Sequence, residues 1–159
     1  MKHLLRIASL LIISLAFTAC SDDDDEQQPQ YLPVTTANLN GTWRMAEWNG
    51  TQDTDNWYFY ITFDRSDETF VSYERMNSMK GEKRTGKFYL EQDEYTGTYT
   101  LSGTYDYGKG DWTHEYEVTQ MTDKTMTLTA TEDKNDVQKY VRVDEVPTDI
   151  QKGTRAIVH

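Results

Sequence analysis

The chain has 159 residues, with 16 lysines and arginines against 27 aspartates and glutamates, for a formal charge of −11. That balance cannot neutralise phosphates, so nucleic acid is excluded as a partner, and an acidic domain is repelled by an anionic surface. A single cysteine excludes an intramolecular disulfide.

In chain order, Lys2, His3 and Arg6 give a positive start, Ile7 to Phe17 an apolar run, and Thr18 and Ala19 small residues at a cleavage point. These are the parts of a secretory signal, read as residues 1–19. The apolar run is well short of the roughly twenty residues that cross a hydrocarbon core. Cys20 follows at once. Phe17-Thr18-Ala19-Cys20 resembles the lipobox of bacterial lipoproteins, with Phe17 where leucine is commoner. The resemblance implies that Cys20 carries lipid and anchors the mature chain to a membrane. Each buried methylene adds about 0.8 kcal/mol, so several acyl chains on one cysteine hold far better than one. Then come Ser21, Asp22, Asp23, Asp24, Asp25 and Glu26. Adjacent carboxylates in an open segment repel one another and stay extended, whereas calcium wants six to eight oxygens folded around it. These six residues resemble the acidic export signal of Bacteroidetes surface lipoproteins, which implies an outer-membrane protein displayed on the cell surface.

From Cys20 onward 140 residues remain, 14 of them basic and 27 acidic, which suits one domain. Residues 20–38 read as lipid anchor and tether: polar, with Pro29 and Pro33, and without a sustained period. The eighteen residues 21–38 span roughly 25 Å. From Leu39 the chain turns to tyrosine, tryptophan, threonine and valine at period two, broken by Gly, Asp and Asn clusters.

Eight strands are expected: 41–48, 57–63, 68–75, 85–91, 95–107, 112–119, 125–131 and 137–143. In the second, Trp57, Phe59, Ile61 and Phe63 share one face, with Tyr58, Tyr60 and Thr62 on the other. The fifth puts Tyr95, Tyr99, Leu101, Tyr105 and Tyr107 on one side, with Gly97 and Gly103 where a sharply bending strand needs them. The seventh alternates Met126, Leu128 and Ala130 with outward threonines. Short connections imply antiparallel hairpins between sequential neighbours. The fold class is therefore all-β, an eight-stranded antiparallel meander barrel over residues 39–143, with a β-sandwich as the alternative. Residues 144–159 read as a loose tail.

Gly41-Thr42-Trp43 at the start of the first strand and Arg142 on the last resemble the lipocalin pattern, closest to the lipocalin-like domains of small Bacteroidetes lipoproteins. The resemblance implies that Trp43 plugs the closed end of the barrel and that Arg142 packs across its ring. A guanidinium over an indole contributes on the order of 1 kcal/mol when desolvated. Three departures stand out: a short first loop (Asn49 to Asn56), no cysteine pair and no C-terminal helix.

Catalytic chemistry is not legible. From Cys20 onward the histidines are His114 and His159, with no cysteine pair to complete a zinc site. Asp53-Thr54-Asp55-Asn56 lacks the glycine and distal glutamate of a calcium loop. Nucleophile elbows and phosphate or dinucleotide loops are absent, and Glu115 and Glu117 fall on an outward face. No metal, cofactor or enzymatic activity is expected. The abundant aromatics suit an apolar or aromatic small ligand, with Trp57, Phe59, Tyr99, Tyr105, Trp112 and Tyr116 as candidate lining. The alternative is a packed, ligand-free barrel serving as an accessory of an outer-membrane complex or as a contact for host protein, with Tyr58 and Tyr60 as an exposed pair.

Overall fold

The computed structural model describes residues 30–52, 57–76, 80–108, 110–153 and 155–156. The leader, Cys20, the acidic stretch Asp22–Glu26 with Ser21, the loop 53–56 and His159 lie outside the described residues. The elements are α1 (Thr36–Leu39), β1 (Gly41–Trp48), β2 (Thr51–Gln52), β3 (Tyr58–Asp64), β4 (Thr69–Arg75), β5 (Glu82–Gln92), β6 (Tyr99–Tyr105), β7 (Tyr116–Thr119), β8 (Thr125–Ala130), β9 (Val137–Val143), α2 (Thr148–Gly153) and β10 (Arg155–Ala156).

Strands β1, β3, β4, β5, β6, β7, β8 and β9 each pair antiparallel with the next, and β9 pairs back onto β1. The result is a closed eight-stranded meander barrel, and the closure sets the sandwich aside. Closure also removes the exposed edges that an open sheet would leave for aggregation.

Period-two alternation positions the interior. Phe59, Ile61 and Phe63 point inward from β3, Met126 and Leu128 from β8, and the threonines between them face out. β1 carries one irregularity. Against β9 its register shifts between Met45 and Glu47, which leaves Ala46 as an extra residue. A bulge reverses the side-chain parity beyond it. Trp43 and Met45 are therefore inward at odd positions, Trp48 inward at an even one, and Glu47 outward, 2.8 Å from Lys139.

Two glycines are dictated by close approach. A Cβ on Gly86 would lie 1.9 Å from the Thr104 carbonyl oxygen and 2.8 Å from the Phe70 ring. A Cβ on Gly103 would lie 2.5 Å from the Trp112 indole. Gly103 leaves room for the β6–β7 loop to fold back: Trp112 N–H donates to the Gly103 carbonyl at 2.7 Å, and Asp111 bridges to Thr104.

Several expectations need correction. The fifth strand begins at Tyr99, because the Asp93 carboxylate accepts from the amides of Tyr95 and Thr96 and Gly97 takes a left-handed φ of 72°, which makes residues 93–98 a turn. Tyr95 and Tyr107 are consequently exposed loop residues. The sixth strand begins at Tyr116, since residues 112–115 are spent on the fold-back. Ordered structure reaches further into the tether than residue 39. Leu32 N–H donates to the Met121 carbonyl at 2.7 Å, Thr35 caps α1, and Leu39 is fully buried. Residues 144–153 and 155–156 are likewise no loose tail. Val146 is buried, α2 supplies a short C-terminal helix, and β10 pairs parallel with the first residues of β5. Tyr58 and Tyr60 are not an exposed pair. Tyr60 is only 8% accessible, and Arg75 stands 5.1 Å above the Tyr58 ring. Burial raises the Tyr58 pKa, Arg75 opposes the rise, and the charge of Asp149 adds to it.

Candidate functional site: an open barrel cavity

The two ends of the barrel differ. At the closed end, Trp43 is fully buried, and its indole N–H donates to the Leu39 carbonyl at 2.7 Å. Arg142, its register partner on β9, lies with its guanidinium carbon 4.1 Å from the Trp43 ring centroid. The guanidinium donates to the carbonyls of Asn38 and Asn40 at 2.5 Å each and of Asp123 at 2.8 Å. It also occupies the space where a Cβ of Gly41 would sit, at 2.7 Å, and Gly41 takes a φ of 116° that favours glycine. Thus Gly41, Trp43 and Arg142 form one interlocked plug. Phe63 and Phe88, in edge contact at 5.0 Å, with Leu101 and Met126, fill the layer above it.

Toward the other end the interior is hollow. A cavity of about 490 Å³ lies there, bordered by Trp48 of β1, Phe59 of β3, Glu74 of β4, Glu82 of β5, Tyr105 of β6, Tyr116 of β7 and Gln138 of β9. That volume lies within the range of small-molecule sites. Its floor and lower wall are apolar: Met45, Ile61, Phe63, Phe70 and Leu128. Phe70 meets Trp112 edge-on at 5.1 Å and Tyr105 at 5.8 Å.

Of the six lining candidates, Phe59, Tyr105, Trp112 and Tyr116 border the cavity. Trp57 and Tyr99 do not. Trp57 precedes β3 and packs against the core from the strand's edge. Tyr99 has the inward parity but starts β6 at the closed end opposite Gln92, away from the hollow. His114 reaches the mouth, where its Nδ1 contacts Glu132, and the hydrogen bond from His114 is the main reason the Glu132 carboxyl titrates lower than usual. Glu115 is exposed, and Glu117 pairs with Lys134 at 3.0 Å.

The polar lining escaped the sequence reading. On the β4–β5 wall, Arg84 donates through Nε to Glu74 and through a terminal nitrogen to Glu82, both at 2.6 Å, beneath the Tyr105 ring at 5.3 Å. Burial opposes the Arg84 charge, but Glu74 and Glu82 outweigh it and raise its pKa. On the opposite wall, Tyr140 O–H donates to Gln138 at 2.8 Å, and the Gln138 amide donates to the Tyr116 oxygen at 3.2 Å. The Trp48 indole N–H donates to Asp136 at 2.7 Å. Burial is the main reason the Tyr105, Tyr116 and Tyr140 pKa values all rise, Tyr116 to about 12 and Tyr140 well above its ordinary value. These phenols are neutral at physiological pH, and Tyr116, which accepts from Gln138, keeps its own proton to donate. Parity offered a signal for Glu74 and Arg84, which share the inward faces of their strands with Phe70 and Phe88. No such signal existed for Trp48, whose orientation depends on the bulge.

A closed eight-stranded meander barrel, plugged at one end and hollow at the other, is a binding-barrel architecture. The chain belongs to the lipocalin-like domain family, whose family model matches residues 39–128. The match stops short of β9, yet β9 closes the barrel and carries Arg142. Searches of characterised proteins and of solved structures gave no match. Among the described residues, no group of three or more His, Cys, Asp or Glu side chains is arranged to hold a metal.

Proposed function

We propose that this is a lipid-anchored surface lipoprotein of the outer membrane whose lipocalin-like barrel captures a small apolar or aromatic ligand without transforming it. The cavity of about 490 Å³ carries the reading, because a barrel serving only as a scaffold gains stability by filling such a space. The anchoring half rests on Cys20 behind its lipobox-like stretch and on the acids Asp22 to Glu26.

Each half has its own test. The chain from Ser21 onward retains every described element; titrated with the neutral fluorophore N-phenyl-1-naphthylamine, it is expected to give one saturable site with blue-shifted emission. Ser72→Leu, which adds bulk on the cavity wall, is expected to weaken that site. A probe that never saturates would remove ligand capture. For display, protease added to intact cells is expected to remove the domain, and replacing Asp22 to Glu26 by Asn and Gln to protect it. Equal cleavage of both forms would sink the export role of the acids.

A further inference from the structure

Among the described residues the charges of the cavity wall do not balance. Four carboxylates border the cavity (Glu74, Glu82, Asp111 and Asp136) against one guanidinium, Arg84, and one imidazole, His114, whose Nδ1 is taken by Glu132. Arg84 is shared by Glu74 and Glu82, so one guanidinium serves two acids. Asp136 is half-buried, and its side-chain partners are the neutral donors Trp48, at 2.7 Å, and Gln138, at 3.5 Å. Among the described residues no cation pairs with Asp136 or with Asp111, which sits on the fold-back beside Trp112. The acids on the two walls act on a common space. After burial and Tyr116, the charges of Asp136 and Glu74 are the next causes that raise the Tyr140 pKa. An anionic ligand would add a charge to this surplus and would have to displace a glutamate from Arg84. A neutral ligand would displace water from Asp136 without replacing its solvation, which is costly for a charge among aromatic rings. A cation supplies the missing partner, pairing with the Asp136 carboxylate that its neutral donors leave uncompensated.

We propose that the cavity selects a ligand with an apolar or aromatic body and a protonated amine, the amine seated against Asp136 within reach of the Trp48 and Tyr116 rings. The inference rests on the ligand-capture reading above and narrows it to organic cations. The apolar floor at Phe63, Phe70 and Leu128 receives the body. The carboxylates set the polarity of entry, so the charged end stays at the mouth. Tyr116 offers its phenolic proton to any acceptor on the ligand.

Three indoles of nearly one shape separate the two ideas: tryptamine, neutral 3-ethylindole and anionic indole-3-propionate, measured by calorimetry at pH 7 on the chain from Ser21 onward. Tryptamine is expected to bind about tenfold or more tighter than 3-ethylindole, as one well-placed charge contact allows, and indole-3-propionate to bind weakest. Asp136→Asn is expected to collapse the tryptamine advantage over 3-ethylindole, and the ratio within one variant is insensitive to a general loss of fold. Asp111→Asn, at an exposed site, is expected to reduce that ratio by about two- to threefold. Equal affinities for tryptamine and 3-ethylindole, unchanged by Asp136→Asn, would overturn the charge selection while leaving ligand capture standing. Tighter binding of indole-3-propionate would do the same. If none of the three binds while N-phenyl-1-naphthylamine saturates, the charge selection falls and ligand capture stands; if that probe fails as well, both proposals fall.

Discussion

The two ends of this barrel are built from similar residues and solve opposite problems. At the closed end an indole and a guanidinium meet face to face, and every nitrogen of both has a carbonyl partner. At the open end an indole, Trp48, and a guanidinium, Arg84, also line the interior, but each is turned to a carboxylate and the space between the walls is empty. The difference lies in the partners. Backbone carbonyls are neutral and fixed, so they lock a cation in place without a net field, and that suits a plug. Carboxylates carry charge into the lumen and leave it to be completed from outside, and that suits a site. One fold thus separates a plug that holds the barrel together from a charged cavity at its other end.

The largest effect that separates the ends is expected from truncating the plug. Trp43→Ala empties a fully buried site, leaves the Leu39 carbonyl without its donor and leaves Arg142 over a void. Buried tryptophan-to-alanine changes cost about 3–5 kcal/mol. Urea unfolding followed by far-UV circular dichroism measures the loss, and a change under about 1 kcal/mol would mean that the plug is not where stability resides.

Next in size is the alkaline response, which comes from the open half. Tyr58, Tyr105, Tyr116 and Tyr140 all have folded pKa values above the ordinary 10, with burial the leading cause in each and Tyr116 at about 12. A phenol whose folded pKa is raised contributes stability that is complete below pH 10 and is lost as pH rises through the folded value. Stability is therefore expected to hold to about pH 9.5 and to fall between about pH 10 and 12. Tyr116 alone, with its folded pKa pushed up to about 12, accounts for roughly 2–3 kcal/mol of that fall. Tyrosinate absorbance at 295 nm in native and urea-unfolded protein checks the sign: the native curve should lag the unfolded one, and Tyr116→Phe should shorten the lag. Coincident curves would place these phenols in water.

How much of this was legible depends on whether a residue's role was local. Strands β1 and β9 were readable to the residue: Asn49-Gly50 ends the first, and the second follows the polar cluster Glu132 to Asp136 and ends before Asp144-Glu145. The strand at 125–130 was nearly as clear. Boundaries failed where a turn was hidden inside a regular pattern. The Tyr-Thr alternation from Tyr95 runs straight into β6, and only the Asp93 side chain, accepting from two amides, separates the turn from the strand. Of the site, the aromatic half was partly visible. The acidic half was not read: Glu74 and Glu82 share the inward parity of Phe70 and Phe88, but in a chain with 27 acids these two, Asp111 and Asp136 look like solvated surface. Trp48 needed the one-residue bulge at Ala46, which no periodicity reveals in advance. The C-terminal segment failed for a similar reason. Its helix is six residues long, too short to show an apolar face.

The smallest expected effect is the one that sharpens the comparison most. Phe59 lines the open cavity, is only half-buried, and touches Tyr140 edge-on at 6.2 Å. Phe59→Leu shortens an aromatic wall, as a truncation at Trp43 would shorten the plug. Here the removed atoms already face a hollow, so few packing contacts are lost and solvent can take the vacated space. A cost of about 1 kcal/mol or less is expected, together with weaker binding of N-phenyl-1-naphthylamine, whose ring would lose that face. The ratio of the two outcomes is the informative quantity. At the closed end, stability should change far more than binding; at the open end, binding should change far more than stability. If Phe59→Leu destabilised the fold as strongly as Trp43→Ala, the upper half of the barrel would be core in the same sense as the lower half. The cavity would then be a packing defect with no claim on a ligand.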